Sequence, residues 1–266
     1  MNKMSPIEEE AREDQGGYDA TFDMYVDVMS KTLTDMIYGG QRKIMRRGKV
    51  REFDPGKRAA GRDWPAVGHS MIGLHRMRNC AYLTDRVIRD EIPGHIIETG
   101  VWKGGASAMM RGVLKARGVT DRKVYLADSF EGLPPPNVED FPADEGSRLH
   151  TRGRLAVGTE IVQQTLECYD LWDDQVELVV GWFKDTLHKL DVEQFALLRL
   201  DGDMYESTIQ AIEALYPKLS KGGFIIVDDY GGISACRKAI HDYRDAHGIT
   251  DEIHKIDHTG VYWRKS

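Results

Sequence analysis

Apolar runs too short for buried helices recur along the second two thirds of the chain. They are His95-Ile96-Ile97-Glu98-Thr99, Lys123-Val124-Tyr125-Leu126-Ala127, Val176 to Val180, Phe195 to Leu200 and Phe224 to Val227, with closing stretches at Glu252 to Asp257 and Gly260 to Arg264. Runs of this kind, without strict polar alternation, read as parallel strands covered on both faces. Between them lie segments of helical period: Gly105 to about Ala116, Glu160 to Tyr169, a short piece from Asp185, Thr208 to Leu219 and Ser234 to His247. Alternation of this sort predicts an α/β three-layer sandwich. Upstream, Phe22, Tyr25, Val26, Met29, Leu33 and Ile37 mark a helix over Tyr18 to Ile37 that Gly39-Gly40 should stop. A longer helix carries Met71, Leu74, Met77, Cys80, Ala81, Leu83, Thr84, Val87 and Ile88, and is expected to pack beside the first strand of the sheet. The chain therefore divides into a flexible tail at 1–17, a helical N-terminal cap at 18–90 and a core at 91–266. A lid-like loop at 132–158, with Pro134-Pro135-Pro136, interrupts that core.

The strand ends carry the chemistry. Leu197-Leu198-Arg199-Leu200 runs straight into Asp201-Gly202-Asp203, and Phe224-Ile225-Ile226-Val227 into Asp228-Asp229. In an open α/β sheet, ligands bind at the carboxyl ends of strands. Four carboxylates on neighbouring ends would repel one another unless a cation sits among them, and a divalent metal is the expectation. The other reading is that strand-end aspartates cap the following helices or form turns. The first strand leads into Gly100-x-x-x-Gly104-Gly105 and a helix, a turn whose backbone can approach a ligand closely, although the dinucleotide spacing GxGxxG is absent. Asp128 ends the second strand, where a ribose hydroxyl acceptor sits in βαβ units. With Glu98 it points to a nucleoside-containing cofactor.

Charge and cysteine usage narrow the classes further. A formal net charge of −7 and a pI near 5.7 argue against a nucleic-acid partner. The basic segment 42–58 has few interleaved aromatics and reads as a solvated, mobile loop. No stretch is apolar enough for a membrane span. Cys80, Cys168 and Cys236 lack zinc-ligand spacing. Their odd number, with no secretory signal, predicts a reducing cytoplasm. His69, His75, His150 and His241 are read as structural, His150 lying in the suspected lid.

Five ordered stretches make the chain resemble class I S-adenosylmethionine-dependent methyltransferases, and within them the TylF-like macrocin O-methyltransferases that methylate sugars in antibiotic biosynthesis. They are Glu98 to Gly105, Ala127 to Pro134, Gly181 to Leu187, Leu200 to Thr208 and Gly223 to Tyr230. The resemblance implies a Rossmann-like, mostly parallel seven-stranded sheet whose last strand is antiparallel. It also implies S-adenosylmethionine as methyl donor and Mg²⁺ as metal. Asp201, Asp228 and Asp229 would hold the metal and Asp203 would be the general base. Glu98, Thr99, Gly100, Val101, Trp102, Gly104 and Gly202 would line the methionine end of the cofactor. Asp128 would hold the ribose, with Ser129, Phe130 and Gly132 near the adenosine and Trp182 and Phe183 by the adenine. Ser70 and Met71 would contact the cofactor from the segment before the long helix.

The implied reaction is magnesium-dependent methylation of a sugar hydroxyl on a glycosylated natural product. The alternative is a catechol or another vicinal diol as acceptor. Partners are a small-molecule glycoside and, in a homo-oligomer, further copies of the chain. Gly39-Gly40 and the basic segment depart from the family pattern where the acceptor pocket is partly built.

Overall fold

The computed structural model describes residues 19–38, 44–46 and 49–266. The expected tail at 1–17 and the Gly39-Gly40 stop lie outside the described residues. Helix α1 spans Ala20–Leu33, a two-stranded ribbon pairs β1 (Ile44–Arg46) with β2 (Lys49–Arg51), and α2 (Pro55–Ala59) and α3 (Gly73–Arg89) follow. The core then alternates: β3 (His95–Thr99), α4 (Gly105–Ala116), β4 (Val124–Asp128), α5 (Thr159–Glu167), β5 (Val176–Val180), α6 (Phe183–Thr186), β6 (Phe195–Leu200), α7 (Tyr205–Leu215), β7 (Leu219–Val227), α8 (Ser234–Ala246), β8 (His254–Lys255) and β9 (Val261–Arg264).

Among the described residues the main sheet has seven strands in the order β5-β4-β3-β6-β7-β9-β8. Pairing is parallel from β5 through β7, and β9 runs antiparallel to both β7 and β8. This is the expected Rossmann-like sandwich. Two hydrophobic cores flank the sheet, and the two-residue strand period sorts side chains between them. Ile96, Leu197, Phe224 and Ile226 face a layer built from α1, α3, α4 and α5, whereas Ile97, Leu198, Ile225 and Val227 face α7 and α8. Every residue of β6 is buried, so this central strand has no free face to vary. Removing one such large apolar side chain from water stabilises the fold by roughly 1.5–3 kcal/mol.

Several boundaries differ from those the pattern predicts. Helix α3 packs over β6 and β7 and alongside α4. Strand β7 begins at Leu219, five residues before Phe224: Leu219 pairs with Phe195 and Phe224 with Leu197, and the residues between them, Gly222-Gly223 included, bulge out of register. A Cβ at Gly223 would stand 2.7 Å from the Ala196 carbonyl oxygen, so the close approach of the bulge to β6 needs glycine there. Helix α7 starts at Tyr205, three residues ahead of Thr208, with a cap that comes from far upstream. The 132–158 loop has no long helix or strand but three short 3₁₀ turns at Pro142–Asp144, Leu149–Thr151 and Gly153–Leu155.

The solvated-loop reading of segment 42–58 fails at its end. Arg58 is 1% exposed. Its Nη1 donates to the carbonyls of Thr34 (3.1 Å) and Asp35 (3.3 Å), and its Nη2 to Asp63 Oδ2 (2.9 Å). It also pairs with the buried Asp35 carboxylate at 3.4 Å. One guanidinium thus ties the end of α1 to α2, and a basic-looking stretch ends in a structural staple. Replacing Arg58 by Ala removes a buried guanidinium that bonds the Thr34 and Asp35 carbonyls and pairs with Asp35 and Asp63, and is expected to destabilise the protein by about 3 kcal/mol. The exposed neighbour Lys57→Ala should cost under about 1 kcal/mol. Urea unfolding of both variants checks this, and equal costs would contradict the staple.

Candidate methyl-transfer site

The carboxyl ends of β3, β4, β6 and β7 open into one cavity of about 680 Å³, a size within the roughly 300–1,000 Å³ of small-molecule sites. Two turns shape its floor. After β3 the chain turns through Gly100 at φ +86° and enters α4 at Gly104, φ +84°. A Cβ at Gly100 would collide with the Asp201 carbonyl oxygen, so glycine lets the ends of β3 and β6 touch. At Gly105 a Cβ would strike the His69 carbonyl oxygen, which brings the Ser70 segment against the start of α4.

Asp128 at the end of β4 ties this floor together. Its Oδ2 accepts from the Val101 N–H (2.7 Å) and its Oδ1 from the Phe130 N–H (2.8 Å). Burial nonetheless raises its pKa from the ordinary carboxylate value. Glu98 is 1% exposed. Its Oε2 accepts from the Ser107 hydroxyl and its Oε1 from Arg199 Nη1 at 2.7 Å. Burial pushes its pKa up to about 7, against the pull of the Arg199 charge.

The acid pairs of β6 and β7 meet where expected, but they have cationic company that the pattern did not disclose. Arg199 is wholly buried. Its Nη1 bonds Glu98 and also Asp201 Oδ2 (2.8 Å), while its Nη2 bonds Asp228 Oδ1. Arg76, from α3, holds the other oxygen of Asp228 and reaches Asp257 Oδ2 at 3.1 Å. Part of the positive charge expected among the strand-end acids is thus supplied by two guanidiniums. Seven carboxylates (Glu98, Asp128, Asp201, Asp203, Glu206, Asp228 and Asp229) and four cationic side chains (Arg76, Arg152, Lys184 and Arg199) line the cavity; of these cations, Arg76 and Arg199 hydrogen-bond the acids at the ends of β3, β6 and β7. The deficit falls on Asp203 and Asp229. Burial raises the Asp229 pKa far above the ordinary value, and Asp203, Asp201 and Asp228 raise it further. Its Oδ2 is buried with no hydrogen-bond partner. Burial, Asp201 and Asp228 push Asp203 up to about 7, with Arg152 opposing.

Asp201, Asp228 and Asp229 each offer one carboxylate oxygen, all within 4.8 Å of one another. An all-oxygen, excess-negative donor set with one orphaned buried oxygen fits a hard divalent cation such as Mg²⁺. Asp201 and Asp203 line the same cavity, though not through strand alternation. β6 has already ended at Leu200, and Asp203 sits in a left-handed turn at φ +58°.

Of the other expected residues, Ser70, Met71, Gly100, Val101, Trp102, Ser129, Gly132, Trp182, Phe183 and Gly202 line this cavity. Thr99, Gly104 and Phe130 are not among its lining residues. Thr99 donates its hydroxyl to the Arg199 carbonyl, Gly104 backs onto Val162 and Leu166, and Phe130 is packed in the core. Arg76, Arg199 and Ser107 were missed. Only Arg199 left a signal, as a charge inside an apolar run. His69 lines the cavity but is engaged by the Tyr169 hydroxyl at 3.0 Å, and burial lowers its pKa.

A seven-stranded sheet of this order, with a glycine turn and an acid at the ends of adjacent strands, defines the Rossmann-like fold of methyltransferases. The sequence profile of the family described as Macrocin-O-methyltransferase (TylF) matches residues 22–265, and the chain belongs to that family. It is 49% identical to 8-demethyl-8-(2,3-dimethoxy-alpha-L-rhamnosyl)-tetracenomycin-C 4'-O-methyltransferase of Streptomyces olivaceus, over 91% of this chain and 92% of that protein. Identity is 44% to Mycinamicin III 3''-O-methyltransferase of Micromonospora griseorubida, over 92% of this chain and 97% of that one. The structure of the O-methyltransferase NovP superposes with a TM-score of 0.87 at 42% identity, covering 92% of this chain and 99% of NovP.

Gly100→Ala tests the floor of the site. Strain at positive φ and the collision with Asp201 should together cost about 3 kcal/mol or more. Gly118→Ala, also at positive φ but with nothing within 4 Å of its Cβ, carries the strain alone. Unfolding midpoints that do not separate the two variants would contradict the close approach of β3 and β6.

Proposed function

We propose that the protein transfers the methyl group of S-adenosylmethionine to a sugar hydroxyl of a glycosylated natural product, with Mg²⁺ bound by Asp201, Asp228 and Asp229. The observation that carries this reading is the cluster of Asp201, Asp228 and Asp229, whose carboxylate oxygens converge within 4.8 Å while Asp229 Oδ2 is buried with no hydrogen-bond partner. Relatives 49% and 44% identical are named for methylation at 4' of a rhamnosyl tetracenomycin and at 3'' of mycinamicin III, which supports a glycoside acceptor.

Glu98 and the Gly100 turn would receive the methionine end of the donor, Asp128 the ribose, and Trp182 and Phe183 the adenine. The donor supplies an already activated sulfonium methyl, and the metal supplies a Lewis acid that favours the ionised form of a sugar oxygen. Everything else falls to the chain. Arg199 and Arg76 hold the Asp228 carboxylate from behind, so its orientation does not depend on the ligand. The acceptor hydroxyl gives its proton to the Asp203 carboxylate as its oxygen takes the methyl group. The 132–158 loop would cover the acceptor, since its Leu133 to Asn137, Leu149, Arg152 and Leu155 line the cavity.

Incubation with S-adenosylmethionine and a panel of glycosides, the rhamnosyl tetracenomycin among them, tests the reading. Turnover is expected to fall at least about 100-fold in chelator and to return with Mg²⁺. Equal rates in chelator would end the metal proposal. Asp203→Asn should lower kcat by about 10²–10⁴-fold while donor binding, followed by calorimetry, is unchanged. A fully active variant would remove Asp203 as the proton acceptor.

A further inference from the structure

Helix α7 begins two residues after Asp203 and has no cap of its own. Its N-cap residue is Met204, which is 1% exposed and whose side chain makes no capping bond. The first-turn N–H groups of a helix have no intrahelical partner, and a buried helix start without a cap is costly. Here the missing acceptor comes from a distant segment. Asp144, in the middle of the 132–158 loop, is 2% exposed. Its Oδ1 accepts from the Tyr205 N–H at 2.7 Å and its Oδ2 from the Glu206 N–H at 2.9 Å, across 61 and 62 residues of chain. Both oxygens are used, on consecutive amides, and a carboxylate suits the positive end of the helix dipole. The Phe141 ring packs against Tyr205 at 6.1 Å beside the same joint.

We infer that Asp144 is a positioning residue for methyl transfer: it fixes the first turn of α7 and through it the left-handed turn that presents Asp203 to the acceptor. The chain between them is short and constrained. Met204 donates its N–H to the Gly202 carbonyl, and the Met204 carbonyl accepts from Thr208 N–H at 3.0 Å. Asp203 at φ +58° is a conformation that a non-glycine residue keeps only when its surroundings hold it. If the first turn of α7 frays, that hold is lost. The same bond pins the loop at its midpoint, while the loop's two flanks line the cavity. The loop that meets the acceptor and the turn that carries the base are thus one mechanical unit. The donor floor hangs instead from the Asp128 bonds to Val101 and Phe130 and should not feel the change.

The inference rests on the reading of Asp203 as proton acceptor. The test is Asp144→Ala in the full chain, with Asp19→Ala as control. Asp19 caps α1 through the Phe22 N–H at 3.0 Å, away from the cavity, so both variants lose a helix cap. Two readouts are taken. In the absence of acceptor, the backbone amide resonances of Gly202, Asp203 and Met204 should move in Asp144→Ala and not in Asp19→Ala, while that of Gly100 stays in place. With the rhamnosyl tetracenomycin and saturating S-adenosylmethionine, kcat should drop about 10- to 100-fold in Asp144→Ala, as a misplacement of roughly 1 Å would cause. The calorimetric Kd for S-adenosylmethionine should stay within about twofold, and Asp19→Ala should leave kcat unchanged. Unmoved Gly202–Met204 resonances, an equal loss of kcat in both variants, or a matching loss of donor affinity would each overturn the proposal. An active Asp203→Asn would overturn the reading beneath it instead, so the two failures are told apart.

Discussion

A single buried guanidinium organises the catalytic end of this protein. Arg199 lies in the central strand, entirely out of water, and a charge placed there must be answered by opposite charge, which here reaches both of its Nη groups though not its Nε. The answer comes from three adjacent strands: Glu98 from β3, Asp201 just past β6 and Asp228 just past β7. The bonds cross the sheet at its carboxyl edge, so they fix how far each acid projects into the cavity. Removing Arg199 alone would leave the buried Glu98 without its guanidinium and bring it together with Asp201 and Asp228, with Arg76 on Asp228 as the remaining bonded cation. That dependence explains why an arginine persists in a strand that is otherwise wholly apolar.

The network also apportions charge. Asp228 takes one guanidinium bond on each oxygen, from Arg199 and Arg76, and Asp201 takes one, whereas Asp229 and Asp203 receive no guanidinium bond among the described residues. Acids held rigidly but left partly uncompensated suit a hard cation; acids left free at a raised pKa suit proton transfer. One carboxylate cluster can thus serve two tasks because its cationic partners are unevenly placed. Beyond the acids the wall is mixed: Ser207, Gln210, His258 and Thr259 offer polar groups, and Leu133 to Pro136 an apolar strip. That combination suits a polyhydroxylated ring attached to an apolar body better than a flat catechol.

Much of this was legible in the chain before any coordinates. The strands declare themselves by apolar runs, and the acids by ending them. The two-residue period even separates Glu98 and Gly100, which line the cavity, from Thr99, which does not; a motif read as a contiguous block obscured that. The pattern could not disclose contacts made by long-range approach. Arg76 looks like any polar residue on a helix, and Asp144 like any acid in an irregular loop, until tertiary packing brings one to Asp228 and the other to α7. Arg58 misled in the opposite sense, since its basic neighbours suggested solvent when the side chain is a buried staple. Asp201 and Asp203 follow the last residue of β6 and are separated by one glycine. They share the cavity because of a left-handed turn, a backbone state that Asp tolerates but does not announce.

The central claim is that the two arginines leave the strand-end acids short of positive charge and that a divalent ion fills the gap. Electron paramagnetic resonance of Mn²⁺ titrated into the protein, with neither donor nor acceptor present, tests it most directly. The account predicts one bound ion per chain in the native protein and at least about a tenfold weaker site in Asp229→Asn, since a ligand charge is lost. Absence of stoichiometric binding, or equal binding by the variant, would contradict it.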